Sequence, residues 1–139
     1  MFDVSVERHG PIFDGRAELA AERYCVDVSD TIAQEAYDRI QRRLPEVFKY
    51  LHGRAPVPKD PGRYQASIHI ERMDTERVVT DSGIIYGPWL EGIGSRNMTT
   101  RFKGYHTFRR IADEIDLEAE GIAERILHDH GYLLEMGGD

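Results

Sequence analysis

The chain has 139 residues, a formal net charge of −7, 40% hydrophobic residues and a mean hydropathy of −0.52. That size fits one domain with a core, and the apolar share is too high for a disordered chain. A single cysteine, Cys25, excludes an internal disulfide and any Cys-based zinc site, and reads as a small buried apolar side chain.

Residues 2–8 alternate Phe2, Val4 and Val6 with Asp3, Ser5 and Glu7, a half-buried strand pattern that Gly10-Pro11 ends. Arg16 to Cys25 is rich in helix formers and predicts a short helix, either separate or continuous with the next. Asp27 or Ser29 can cap a longer helix, whose apolar side carries Val28, Ile32, Ala36, Ile40, Leu44, Val47 and Leu51, widened by Tyr37 and Phe48. Pro45 removes an amide donor, so the helix kinks there or stops near Leu44. Its polar side, with Glu35, Asp38, Arg39, Arg42 and Arg43, reads as a solvated face.

Residues 52–63, with three prolines and two glycines, read as a loop. Tyr64, Ala66, Ile68 and Ile70 alternate with polar residues and predict a strand; a turn over Met73–Glu76 leads to an antiparallel partner, Arg77–Thr80. Gly87–Gly92 predicts one helical turn opened by Pro88 and closed by Gly92, with Trp89 and Leu90 docking it on the sheet. Gly104–His130 predicts a second long helix with Phe108, Ile111, Ala112, Ile115, Ala119, Ile122, Ala123 and Ile126 on one face; Asp116-Leu117 is a candidate break. Tyr132–Met136 reads as a short edge strand.

These elements make one α+β domain over residues 1–139, with its core at about 28–130. Two long helices pack on an antiparallel sheet, and a long basic loop precedes the C-terminal helix. No apolar run is long enough to cross a bilayer and the N-terminus has no secretory pattern, so the expectation is a protein neither secreted nor membrane-bound.

Few residues form a catalytic pattern. Phosphate-loop, nucleophile-elbow and zinc-protease motifs do not occur. His128 and His130 point to different sides of a helix, and an exposed polar strand face accounts for His69 and Glu71 as well as a proton-transfer pair does. The expectation is a protein that is not an enzyme and carries no cofactor or metal.

Residues 86–110 concentrate what is unusual. Arg96, Arg101, Lys103, Arg109 and Arg110 fall between Glu91 and Asp113 with no acid among them, in an acidic protein. Tyr86, Trp89, Phe102, Tyr105 and Phe108 punctuate the same stretch, and aromatics beside arginines are the usual make-up of interface anchors. Residues 92–103, glycine-rich and poor in apolar anchors, read as a mobile loop that orders on assembly.

The string YGPWLEG, then SRN, then TTRFKGYHTFRR resembles the small neck or tail-completion proteins of long-tailed bacteriophages. That family places an aromatic-small-Pro-aromatic-aliphatic-Glu-Gly turn before a loop and an Arg/Phe-bearing start to the C-terminal helix. Pro61 to Ile68 is similar to the family's entry into its first central strand, and the resemblance covers about residues 30–115. It implies a virion structural protein, assembled in the host cytoplasm, that forms a ring joining the head connector to the tail tube. Six subunits would match the tail's symmetry. The implied partners are other copies, the head connector or stopper, the tail tube protein and DNA in the lumen. Trp89, Arg96, Arg101, Phe102, Lys103, Tyr105 and Arg109 are then the candidate interface residues. The alternative is a small nucleic-acid-binding module using residues 96–110, where Phe102 or Tyr105 stacks a base. Its overall acidity counts against that.

Overall fold

The computed structural model describes residues 10–12, 14–50 and 60–138. The strand expected over residues 2–8 lies outside them, as does most of the loop after residue 51. The described chain is mostly helical with one two-stranded antiparallel sheet, an α+β arrangement. In order the elements are α1 (Arg16–Tyr50), α2 (Pro61–Ser67), β1 (His69–Met73), β2 (Glu76–Thr80), α3 (Gly87–Glu91), α4 (Ser95–Thr99), α5 (Thr107–Asp129) and α6 (Tyr132–Glu135).

The two segments expected near the N-terminus are one continuous helix, with Asp27 and Ser29 inside it rather than capping it. Asp14 sits at its start, its carboxylate accepting from the Arg16 amide at 3.1 Å. Pro45 lies within α1 and does not end it. A proline there leaves the carbonyl four residues earlier, at Gln41, without its helical donor. The Gln65 side chain of α2 fills the gap, donating to the Gln41 carbonyl at 3.0 Å, while Gln41 Nε2 donates back to the Gln65 carbonyl at 2.9 Å. The proline is tolerated because a neighbouring helix supplies the missing donor.

Tyr64 to Ser67 is helical, not extended as the alternation predicted. Asp60 caps the turn by accepting from the Arg63 amide at 3.0 Å, and Pro61 stands in its first turn. The β1–β2 hairpin keeps the expected antiparallel pairing, with Ile70 opposite Val79 and Arg72 opposite Arg77. Two arginines facing each other would repel. Asp30 of α1 relieves this, lying 2.5 Å from Arg77 Nε and 3.6 Å from Arg72 Nε. The same contact pins the hairpin to α1.

The long helices pack mainly on each other. Ile40, Leu44 and Phe48 of α1 meet Ile111 and Ile115 of α5, with Tyr64, Ile68, Leu90 and Tyr105 completing one cluster. Ala20, Ile122, Ile126 and Tyr132 form a second, and the half-buried Ile32 touches both. α5 runs unbroken through Asp116, Leu117 and Gly121. The segment expected as an edge strand is α6, which packs on α1 and α5, with Tyr132 OH hydrogen-bonded to Asp27 and Arg23 ion-paired with Glu135. Cys25 is exposed, not buried, because it falls one residue off the inward-facing line of Ala20, Tyr24 and Val28.

The polar side of α1 is not simply solvated. Arg39, its side chain only 17% exposed, binds Glu35 at 2.8 Å and reaches across to Glu118 at 2.5 Å and Glu114 at 3.6 Å. Arg43 binds Glu114 through both nitrogens, at 2.8 and 3.0 Å. Hydrogen bonding to Arg43 holds the Glu114 carboxyl below its usual range, and that to Arg77 does the same for Asp30.

Candidate interface loop

The segment between α3 and α5 is a closed loop with its own internal structure. Pro88 opens α3, and Gly92, at φ 100°, ends it in the left-handed conformation. The Pro88 carbonyl accepts from the Gly92, Ile93 and Gly94 amides at 3.0, 2.9 and 3.1 Å. Gly104, at φ 101°, brings the chain back against Gly92, so closely that a Cβ on either residue would collide with backbone of the other strand of the loop. The Tyr105 amide then donates to the Leu90 carbonyl at 2.7 Å.

Asn97 organises the interior. It is 4% exposed, its Oδ1 accepts from the Gly94 amide at 2.9 Å, and its Nδ2 donates to the Trp89 and Phe102 carbonyls at 3.0 and 3.2 Å. A buried side-chain amide with each group paired fixes the path of three chain segments. Lys103 Nζ donates to the Asn97 carbonyl at 2.7 Å, satisfying a carbonyl near the end of α4. The stretch expected to be a mobile loop therefore holds a short helix, α4, and a buried polar centre.

Glu91 has a role that its place in the motif did not reveal. α5 begins after His106, which sits at φ 53° and contributes no side-chain cap. The Glu91 carboxylate substitutes, accepting from the Phe108 amide at 3.1 Å and the Arg109 amide at 2.9 Å. An anion on the free amides of a helix start gains from hydrogen bonding and from the helix dipole. The readable signal was a helix opening as His-Thr-Phe, with no acid in its first turn and Glu91 the nearest acid upstream.

Tyr86, Trp89, Phe102 and Tyr105 join one ladder that runs through Phe48 and Tyr64. Trp89 packs edge-on against Phe102 at 5.5 Å and Phe102 against Tyr105 at 4.9 Å; Tyr105 meets Phe48 at 5.8 Å. Phe48 continues to Tyr64 at 6.3 Å and Tyr64 to Tyr86 at 5.8 Å. Desolvation by burial, above all, pushes the phenols of Tyr64 and Tyr105 upward, so both stay neutral.

The sequence-predicted interface residues thus divide. Tyr105 is buried in the core and is not available to a partner in the folded subunit. Phe102 and Trp89 are half-buried in the ladder, and Trp89 docks on Phe102 rather than on the sheet. Lys103 is engaged with loop carbonyls. Arg96, Arg101 and Arg109 are exposed, with no carboxylate partner among the described residues. Ile85, Ile93 and Met98 of the same stretch are exposed aliphatic side chains, at 95, 78 and 84% exposure, which charge and aromatic content do not reveal.

Elsewhere, His69 Nε2 lies 3.3 Å from Glu71, and its Nδ1 lies 3.0 Å from Ser82 Oγ. The Ser82 hydroxyl donates to the Ser67 carbonyl at 2.8 Å, and His69, Glu71 and Ser82 are exposed. That geometry spends the hydroxyl proton on a carbonyl and leaves the group in water. Among the described residues no cluster of three or more His, Cys, Asp or Glu could hold a metal ion, and no helix is long and apolar enough to cross a membrane. What the loop can do is present cations and aliphatic side chains on a backbone already fixed in shape. Comparison with family models, curated proteins and solved structures finds no match for this chain.

Proposed function

We propose that this chain is a structural subunit of the neck of a long-tailed phage particle, forming a ring, with six copies as the working number, that joins the head connector to the tail tube. The observation that carries the reading is the tip of the loop, where Arg96 and Arg101 stand exposed to either side of Met98 in the chain, with no ion pair among the described residues. In a chain of net charge −7, such a patch favours a partner outside the subunit. The resemblance of YGPWLEG and TTRFKGYHTFRR to neck and tail-completion proteins gives that partner a context. In this reading the long helices and the hairpin are the family's helices-on-sheet domain, and the loop is its assembly element. The partners are other copies, the connector or stopper and the tail tube protein, with DNA passing the lumen, and the subunit works without a cofactor.

The test is a virion assay with Arg101→Glu. Circular dichroism should show a folded subunit, while particles should lack it and fail to join heads to tails. A folded variant that yields infectious particles at the normal level removes the loop from the function. If particles assemble but package or eject DNA poorly, the loop faces the lumen. The nucleic-acid reading is weaker than sequence alone allowed, since Phe102 and Tyr105 are committed to the aromatic ladder. Salt-dependent DNA binding by the isolated monomer would revive it.

A further inference from the structure

The outer side of α5 carries a stripe that the fold leaves uncovered. Asp113, Leu117, Glu120 and Glu124 follow at three- and four-residue spacing, so they share one line of the helix, and all are exposed. Leu117 stands 88% exposed in its middle, with the exposed Asp116 beside it. The inward acids Glu114 and Glu118 are consumed by Arg43 and Arg39, whereas the outer acids have no ion pair among the described residues. The α4 tip carries the opposite pattern: Met98, 84% exposed, between the exposed Arg96 and Arg101, which have no ion pair among the described residues. A single exposed aliphatic residue needs no explanation. Here, one lies among acids and one between arginines, on the same chain, and neither set of charges has an ion pair among the described residues.

We propose that the α4 tip of one copy docks on the outer stripe of α5 of a second copy. Met98 lies against Leu117, and Arg96 and Arg101 face Asp113, Asp116 and Glu120. The two patches sit on different elements, so every copy offers a tip and accepts one. Such a heterologous contact closes into a ring when its rotation allows. Asn97 and Lys103 hold the tip in shape beforehand, which lowers the ordering cost of docking. The proposal rests on the self-assembling reading above and names its two surfaces.

Charge reversal tests it on the purified full-length chain by sedimentation velocity. The wild type should form an oligomer that weakens as salt rises. A tip variant with Arg96→Glu and Arg101→Glu, and separately a stripe variant with Asp116→Lys and Glu120→Lys, should each remain folded by circular dichroism. Each should associate at least about tenfold more weakly, because like charges then meet across the contact. Mixing the two variants, or joining all four substitutions in one chain, should restore association. Folded variants that associate like the wild type, or a four-fold variant that does not recover, overturn the contact. So does loss of duplex DNA binding in the tip variant with association unchanged, which would assign the tip to nucleic acid. A wild type that stays monomeric at about 1 mM also overturns it, but leaves the neck assignment to its own test, incorporation into particles.

Discussion

Two sets of arginines lie in this molecule under different constraints. Arg39, Arg43 and Arg77 of the helical body face carboxylates brought to them by another element, Glu114 and Glu118 from α5 and Asp30 from α1. Arg96 and Arg101 of the loop face none among the described residues, and the loop is shaped instead by backbone carbonyls, a buried asparagine and two touching glycines. Arginine charge is part of the fold in the first region and independent of it in the second, where Lys103 is the cation that serves the fold. Cations in the body answer to the element they touch, while Arg96 and Arg101 carry information about what lies outside.

The comparison breaks first, and hardest, in the body. Ile111 is 1% exposed between α1 and α5, and Ile111→Ala should cost about 3–4 kcal/mol in a denaturant melt through lost burial and the cavity left behind. A cost below about 1 kcal/mol would mean that the two helices are not the structural centre. Next comes the loop's clamp. Gly104→Ala places a Cβ against Gly92 at a backbone conformation that disfavours side chains, and should cost about 3 kcal/mol from strain and overlap together. Hydrogen exchange should then show lost protection across residues 93–103 before the body opens. Uniform loss of protection would show that the loop and body are one cooperative unit.

A smaller effect joins the two regions. Glu91→Ala removes the cap that α3 supplies to α5, and should cost about 1 kcal/mol, with amide exchange accelerated at Phe108 and Arg109. Unchanged exchange at those two amides would mean that the cap does not hold in solution. The gentlest test is acid. Glu114 and Asp30 have folded-state pKa values held below their ordinary 4.5 and 3.8 by arginine. A carboxylate lowered in this way contributes its full stability above the unfolded value and loses it as pH falls through the folded one. Thermal stability should therefore be level near neutrality and decline below about pH 4.5, and Arg43→Gln should make that decline shallower. An equal decline in the variant would remove the Arg43–Glu114 pair from the acid response.

Much of the body was legible from spacing. The apolar lines of α1 and α5, the hairpin turn and the Pro-to-Gly turn of α3 follow from local periodicity and turn chemistry. Three features were not. Pro45 reads as a break unless the Gln65 side chain can be placed beside the Gln41 carbonyl, and that contact spans 24 residues. Tyr64 to Ile70 alternates like a strand, and the competing Asp60-Pro61 start signal governs only its first half. Arg39 and Arg43 look solvated until α5 is laid against them. In the loop, charge and aromatic content were visible at once, but which aromatics stay available was not. Tyr105 and Phe102 are drawn inward by Phe48 of α1, a partner more than fifty positions away.

The contact between Gly92 and Gly104 has a consequence for how such a chain can change. Because the two ends of residues 93–103 already meet, the turn between them is a cassette hung on a closed neck. With Asn97, Phe102 and Lys103 kept, the exposed stretch 98–101 can change in length and sequence while α3, the Glu91 cap and α5 keep their places. Closing a loop twice as long costs only about 0.6 kcal/mol more, so insertions there fall lightly on the rest of the molecule. Mutation can thus explore new binding partners at the tip while the helical body stays the same scaffold.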